Sequence, residues 1–153
     1  MNKYDSDLVR SIMESSGCRM VDFPEEADII LVNTCSVREH AERRVLGRVA
    51  ELNKIKRKSP GKLIGVLGCM AQRLGCELLR SAPYIDVVVG PASYRELPGT
   101  IDALRNSGER QAVLDDGRQE TYEELTPSTS GRISVMVPIM RGCSEFCTYC
   151  VVP

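Results

Sequence analysis

Three apolar runs, each followed by a helix-patterned stretch, constrain this chain more than any other feature. They are "ADIILVNTC" (27–35), "KLIGVLGC" (62–69) and "DVVVG" (86–90). The first is apolar at every position from Ile29 to Val32. A run without polar alternation suits a strand covered on both faces, as in a parallel sheet. Between the first two runs, "SVREHAERRVLGRVAELNKIKRK" places Val37, Ala41, Val45, Val49 and Leu52 on one helical stripe, and Ser59-Pro60-Gly61 ends it. "AQRLGCELLRSA" reads as a second crossover helix, residues 93–106 as another, and "QAVLD" as a short strand. Ahead of all these, Leu8, Val9, Ile12 and Met13 predict a helix from Asp5 to Ser16, stopped by Gly17. The alternation predicts an α/β fold, a parallel sheet covered by helices with right-handed crossovers. Its first element is a helix with no strand before it.

Residues 116–131, "DGRQETYEELTPSTSG", lack periodicity and are rich in turn residues, so they read as a linker. "RISVMVPIM" (132–140) then predicts a new strand that runs into three cysteines. The expected organisation is an α/β domain over 1–115, the linker over 116–131, and the opening strand and loop of a second, truncated domain over 132–153. At 153 residues, 42% of them hydrophobic, the chain is long enough to bury a core. No apolar run approaches a membrane span, and the first residues are too polar for a signal peptide. A cytoplasmic protein with no membrane partner is the expectation. A net charge of −1 gives no global footprint for nucleic acid, so any RNA contact must be local.

Seven cysteines are many for such a chain. Their odd number and the helix–strand alternation argue against a disulfide framework and for ligand chemistry. Cys143-x3-Cys147-x2-Cys150 is the most specific pattern. Zinc sites pair C-x2-C elements and complete four ligands, which this spacing does not do. Three thiolates can hold three irons of a 4Fe–4S cube and leave the fourth open to a substrate. Cys35 and Cys69 each end an apolar run, and ligands of open parallel sheets bind at the carboxyl ends of strands. Gly68 would let a bulky group approach closely, and helical N–H groups beginning near Ser36 would favour a thiolate at Cys35. Unrelated buried thiols fit the same two positions equally well.

The segments "MNKYDSD", "NTCSVREHAERRVLGRV", "GVLGCMAQR" and "RGCSEFCTYCVVP" together resemble the methylthiotransferase family of radical S-adenosylmethionine enzymes, over essentially the whole chain. The likeness is greatest to the MiaB-type tRNA branch, because the ribosomal-protein branch differs after "NTC". The resemblance implies a Rossmann/flavodoxin-like N-terminal domain with its first strand missing, then the start of a radical S-adenosylmethionine barrel. It implies methylthio transfer to carbon 2 of N6-isopentenyladenosine beside the anticodon of tRNA, with S-adenosylmethionine and two 4Fe–4S clusters. Cys143, Cys147 and Cys150 would hold the radical-generating cluster, with Tyr149 near S-adenosylmethionine. Cys35 and Cys69 would be two ligands of an auxiliary cluster whose third cysteine would precede Met1. Partners implied are tRNA and an electron donor such as flavodoxin or ferredoxin, and the truncated chain alone is expected to be inactive.

Two rivals stand beside this reading: a sister methylthiotransferase acting on threonylcarbamoyl-adenosine or a ribosomal protein, and a non-catalytic iron–sulfur or metal-binding module. Cys18 and Cys76 match no ligand position and read as buried or helix-surface thiols. His40 reads as a solvated residue. Arg38 and Glu39 fall in the family segment, yet Glu39 and Arg43 are also an ordinary i,i+4 pair. The run Lys54, Lys56, Arg57, Lys58 suits a solvated helix end before it suits RNA phosphates.

Overall fold

A computed structural model describes residues 2–35, 39–115, 117, 120–122, 124, 125, 134, 136, 138, 143 and 145–150. Along the chain run α1 (Asn2–Ser15), β1 (Ile29–Thr34), α2 (Glu39–Lys58), β2 (Leu63–Gly68), α3 (Cys69–Leu74), α4 (Cys76–Ser81), β3 (Val87–Val89), α5 (Leu97–Ser107) and β4 (Gln111–Val113). The four strands are all parallel and lie in the order β1-β2-β3-β4. The α/β class read from the apolar runs is therefore the observed one. Of the strand expected over 132–140 only Ser134, Met136 and Pro138 are described, and the rest lies outside the described residues.

Strand side chains alternate between two cores, as the two-residue period requires. Ile30, Ile64, Val66 and Val88 face Val49 and Leu52 of α2, Met70 and Ala71 of α3 and Leu78 of α4. Leu67, Val87 and Val89 face Leu8 and Ile12 of α1 and Leu97, Ile101 and Leu104 of α5. Sequential strand order with right-handed crossovers would put α2 and α5 on one face. They lie on opposite faces, so the β1–α2–β2 and β3–α5–β4 connections have opposite hands, contrary to the expectation. The physical reason is cover: α1 alone would leave Val87 and Val89, both fully buried, without a roof.

Helix ends follow local chemistry. Gly17 takes φ 86°, and Cys18 N–H donates to Met13 O at 3.0 Å, a Schellman-type stop for α1. The crossover helix expected over 71–82 is instead two short helices, α3 and α4, broken at Gly75 with φ 48° and ψ −125°. Leu74, Leu78 and Leu79 keep helical spacing across the break, which hides it in the sequence.

Within the segment expected as a linker, Tyr122 is fully buried and packs with Leu125 on the core beneath α1 and α5. Its hydroxyl accepts from Tyr94 N–H and donates to Pro91 O, both at 2.8 Å. Its ring stacks on Tyr94, with centroids 6.0 Å apart. Arg95 lies over the Tyr122 ring, 5.4 Å from its centroid, and is itself held by Glu120 at 2.9 Å. Tyr122→Phe removes the acceptor for one backbone group and the donor to another. It is expected to cost about 1–3 kcal/mol, read as a lower urea midpoint at unchanged slope. A midpoint equal to the parent's would show that those two bonds contribute nothing net.

Candidate metal centre

The pairing of β1 with β2 runs from Ile29↔Leu63 to Thr34↔Gly68. Cys35 and Cys69 each come one residue after that last pair, so both sit at the carboxyl edge of adjacent strands. Neighbouring strands lie about 4.8 Å apart, so the strand ends that lead into the two cysteines are neighbours although 34 positions separate the cysteines in sequence. Cys35 is half-buried and Cys69 exposed, and neither is in a disulfide.

Specific contacts hold the two strand ends together. Thr34 is buried, and its Oγ1 donates to Leu67 O at 2.6 Å, a tie across the gap. Gly68 adopts φ 95° and ψ −159°, and a Cβ there would collide with Thr34 O. Only glycine fits this approach, a role beyond the room for a ligand read from the sequence. Asn33 Nδ2 donates to Ser6 Oγ at 3.1 Å, which brings the early part of α1 to the same edge.

The segment after Cys69 anchors it. Met70 and Ala71 are fully buried. Gln72 Oε1 accepts from Asp115 N–H at 2.9 Å, and Arg73 pairs with Glu42 of α2. The Glu42 hydrogen bond raises the Arg73 pKa above its ordinary value. These uses of "MAQR" were not legible from residue type alone.

The other cysteines fall apart from this pair. Cys18 packs at half burial against the core beneath α1 and α5 and lines a cavity of about 590 Å³ beside β1, which neither Cys35 nor Cys69 lines. Cys76 is exposed at the start of α4. The sequence pattern puts it inside one helix over 71–82; the break at Gly75 instead makes it the first residue of a separate helix. Cys143, Cys147 and Cys150 are exposed, as are Phe146 and Tyr149, and Cys150 N–H donates to Cys147 O at 2.9 Å in a tight turn. Arg141, Gly142 and Ser144 of this segment lie outside the described residues. Among the described residues no three His, Cys, Asp or Glu side chains gather into a group able to hold a metal. Ser36, Val37 and Arg38, where helical N–H groups were expected beside Cys35, lie outside the described residues, as do the side chains of Glu39 and His40. The described α2 begins at Glu39.

A cluster fits the pair in chemistry: two thiols, no competing disulfide, an open side at Cys69, and a glycine where a side chain would wedge the strand ends apart. The pair supplies two ligands and falls short of three. Among the described residues no helix is long and apolar enough to cross a membrane.

Residues 1–90 match the model of the uncharacterized protein family UPF0004. Among curated relatives, a tRNA-2-methylthio-N(6)-dimethylallyladenosine synthase of Burkholderia lata is 44% identical over 154 residues, covering 100% of this chain and 34% of the relative. The protein of the same name from Porphyromonas gingivalis strain W83 is 46% identical over 158 residues, with the same coverage. The chain thus spans about a third of the length of the curated relatives it matches.

Proposed function

Because the chain belongs to the UPF0004 family, we propose that it serves in a tRNA methylthiotransferase of the radical S-adenosylmethionine class. The reaction proposed is methylthio transfer to carbon 2 of N6-isopentenyladenosine beside the anticodon. The observation that supports this reading is the register Thr34↔Gly68, which ends β1 and β2 level, one residue before Cys35 and Cys69. The names of the relatives support tRNA as the substrate.

In this proposal Cys35 and Cys69 hold an auxiliary 4Fe–4S cluster together with a third thiolate. Cys143, Cys147 and Cys150 hold the cluster that binds S-adenosylmethionine, with Tyr149 beside it and an electron donor such as flavodoxin or ferredoxin. Such cofactors supply one-electron chemistry that side chains lack. The chain's own part is positional. Thr34 and Gly68 fix the spacing of the two strand ends, while Met70 and Ala71 anchor the helix behind Cys69. The Arg73–Glu42 pair ties that helix to α2.

Anaerobic reconstitution with iron and sulfide tests the assignment. Bound iron and sulfide should fall on replacing Cys35, Cys69 or Cys147 with Ala, because thiolate ligation is what holds these clusters. Cys18→Ala and Cys76→Ala should keep the parent's content. Zinc in place of iron, or iron loss confined to Cys18→Ala and Cys76→Ala, would overturn the ligand assignment.

A further inference from the structure

We propose that the outer face of α2 docks the phosphate backbone of a folded RNA. This rests on the tRNA reading above and adds a surface to it. The inner side of α2 buries Val49 and Leu52. Its outer side exposes Arg43, Arg44, Arg48, Lys54, Arg57 and Lys58. At 3.6 residues per turn, these six cations fall within about half the helix circumference. Among the α2 residues whose side chains are described, one acid, Glu51, shares that exposed face, and it pairs with Arg48 at 3.0 Å. The chain as a whole carries a net charge of −1, so positive charge is segregated here.

A solvated helix end does not account for the pattern. Lys56, from the middle of the basic run, turns inward to Asp86 at 2.5 Å, whereas its neighbours stay outside. The helix dipole favours cations in the last turn, which explains Arg57 and Lys58 but not Arg43, Arg44 or Arg48. From Arg43 to Lys58 the face is about 22 Å long, and between its cations stand Gly47 and Ala50, both exposed, so no bulky side chain blocks an approaching backbone. Its chain of origin matters too, since α2 follows Cys35 and its N-terminal half is tied by Glu42 to Arg73, four residues past Cys69. Among the described residues of α2 no large apolar side chain is exposed, which a helix lying on a lipid surface would need.

Anisotropy titration of the 153-residue chain with a folded tRNA transcript, repeated over a range of salt, tests this. Each phosphate contact contributes about 0.7–0.9 to the slope of log affinity against log salt. The triple variant Lys54→Gln/Arg57→Gln/Lys58→Gln should therefore lower that slope by about 2–3, and Arg43→Gln/Arg44→Gln by about 1–2. Arg10→Gln/Arg80→Gln/Arg105→Gln, equal in charge change but on other helices, should leave it unchanged. The proposal is overturned if that control lowers the slope as much, if a DNA duplex of equal length binds as tightly, or if the tRNA does not bind. The iron analysis above is independent: a chain that holds clusters but ignores tRNA sinks only this surface, and one that binds tRNA through α2 without iron sinks only the enzymatic reading.

Discussion

Replacing Asp86 with alanine is expected to destabilise the protein by about 3–5 kcal/mol, the cost of breaking a buried ion pair from one side. Asp86 stands just before β3, buried, and its carboxylate takes Lys56 Nζ at 2.6 and 2.5 Å and Ile64 N–H at 2.7 Å. Its backbone N–H donates to Ile64 O at 2.9 Å, and its carbonyl accepts from Gln111 N–H at 3.0 Å. One residue thus joins α2, β2 and the start of β4. Alanine would strip the acceptor from the fully buried Ile64 and leave the Lys56 ammonium with Tyr84 O at 3.2 Å. Lys56→Met should also destabilise, because it leaves the Asp86 carboxylate with the Ile64 N–H but without its cation. The Asp86→Ala/Lys56→Met double variant should then recover part of the loss. Urea midpoints at constant slope measure all three. An Asp86→Ala midpoint within error of the parent's would remove this residue from the account of stability.

Asp86 also shows where sequence reading stops. As a lone acid before three valines it looks like the polar edge of a strand, and Lys56 looks like one more charge in a basic run. Nothing local connects them; tertiary packing does. The strands were legible because full burial forces an unbroken apolar run, and the cysteine edge was legible because both thiols stand where such runs end. The break at Gly75 was not, since Leu74, Leu78 and Leu79 preserve the helical period across it. Tyr122 escaped for the opposite reason, a single buried ring in a stretch with no period at all. The close contact at Gly68 needed both strand ends in view before its glycine could be read as a steric requirement.

Gly68→Ala should carry the same order of effect as Asp86→Ala and reach the candidate centre as well. With φ 95° and ψ −159°, Gly68 occupies a region that is essentially closed to residues with a Cβ, at a cost of about 1–3 kcal/mol. The added methyl would also meet Thr34 O and Asn33 Oδ1. Thr34 O is backbone and cannot rotate away, so overpacking adds about another 1–3 kcal/mol. Relief requires the ends of β1 and β2 to part, and that movement stretches the Thr34–Leu67 bond and separates Cys35 from Cys69. Iron bound per folded chain should therefore drop along with stability. Gly47→Ala gives the contrast: it lies within α2 with nothing within 4 Å of a Cβ, so alanine should stabilise by about 1 kcal/mol with iron uptake unchanged. Comparing iron content under conditions where both variants are folded separates the two effects. If Gly68→Ala bound iron as the parent does, the two strand ends would not need this spacing, and the cysteine pair would lose its structural support as a ligand site.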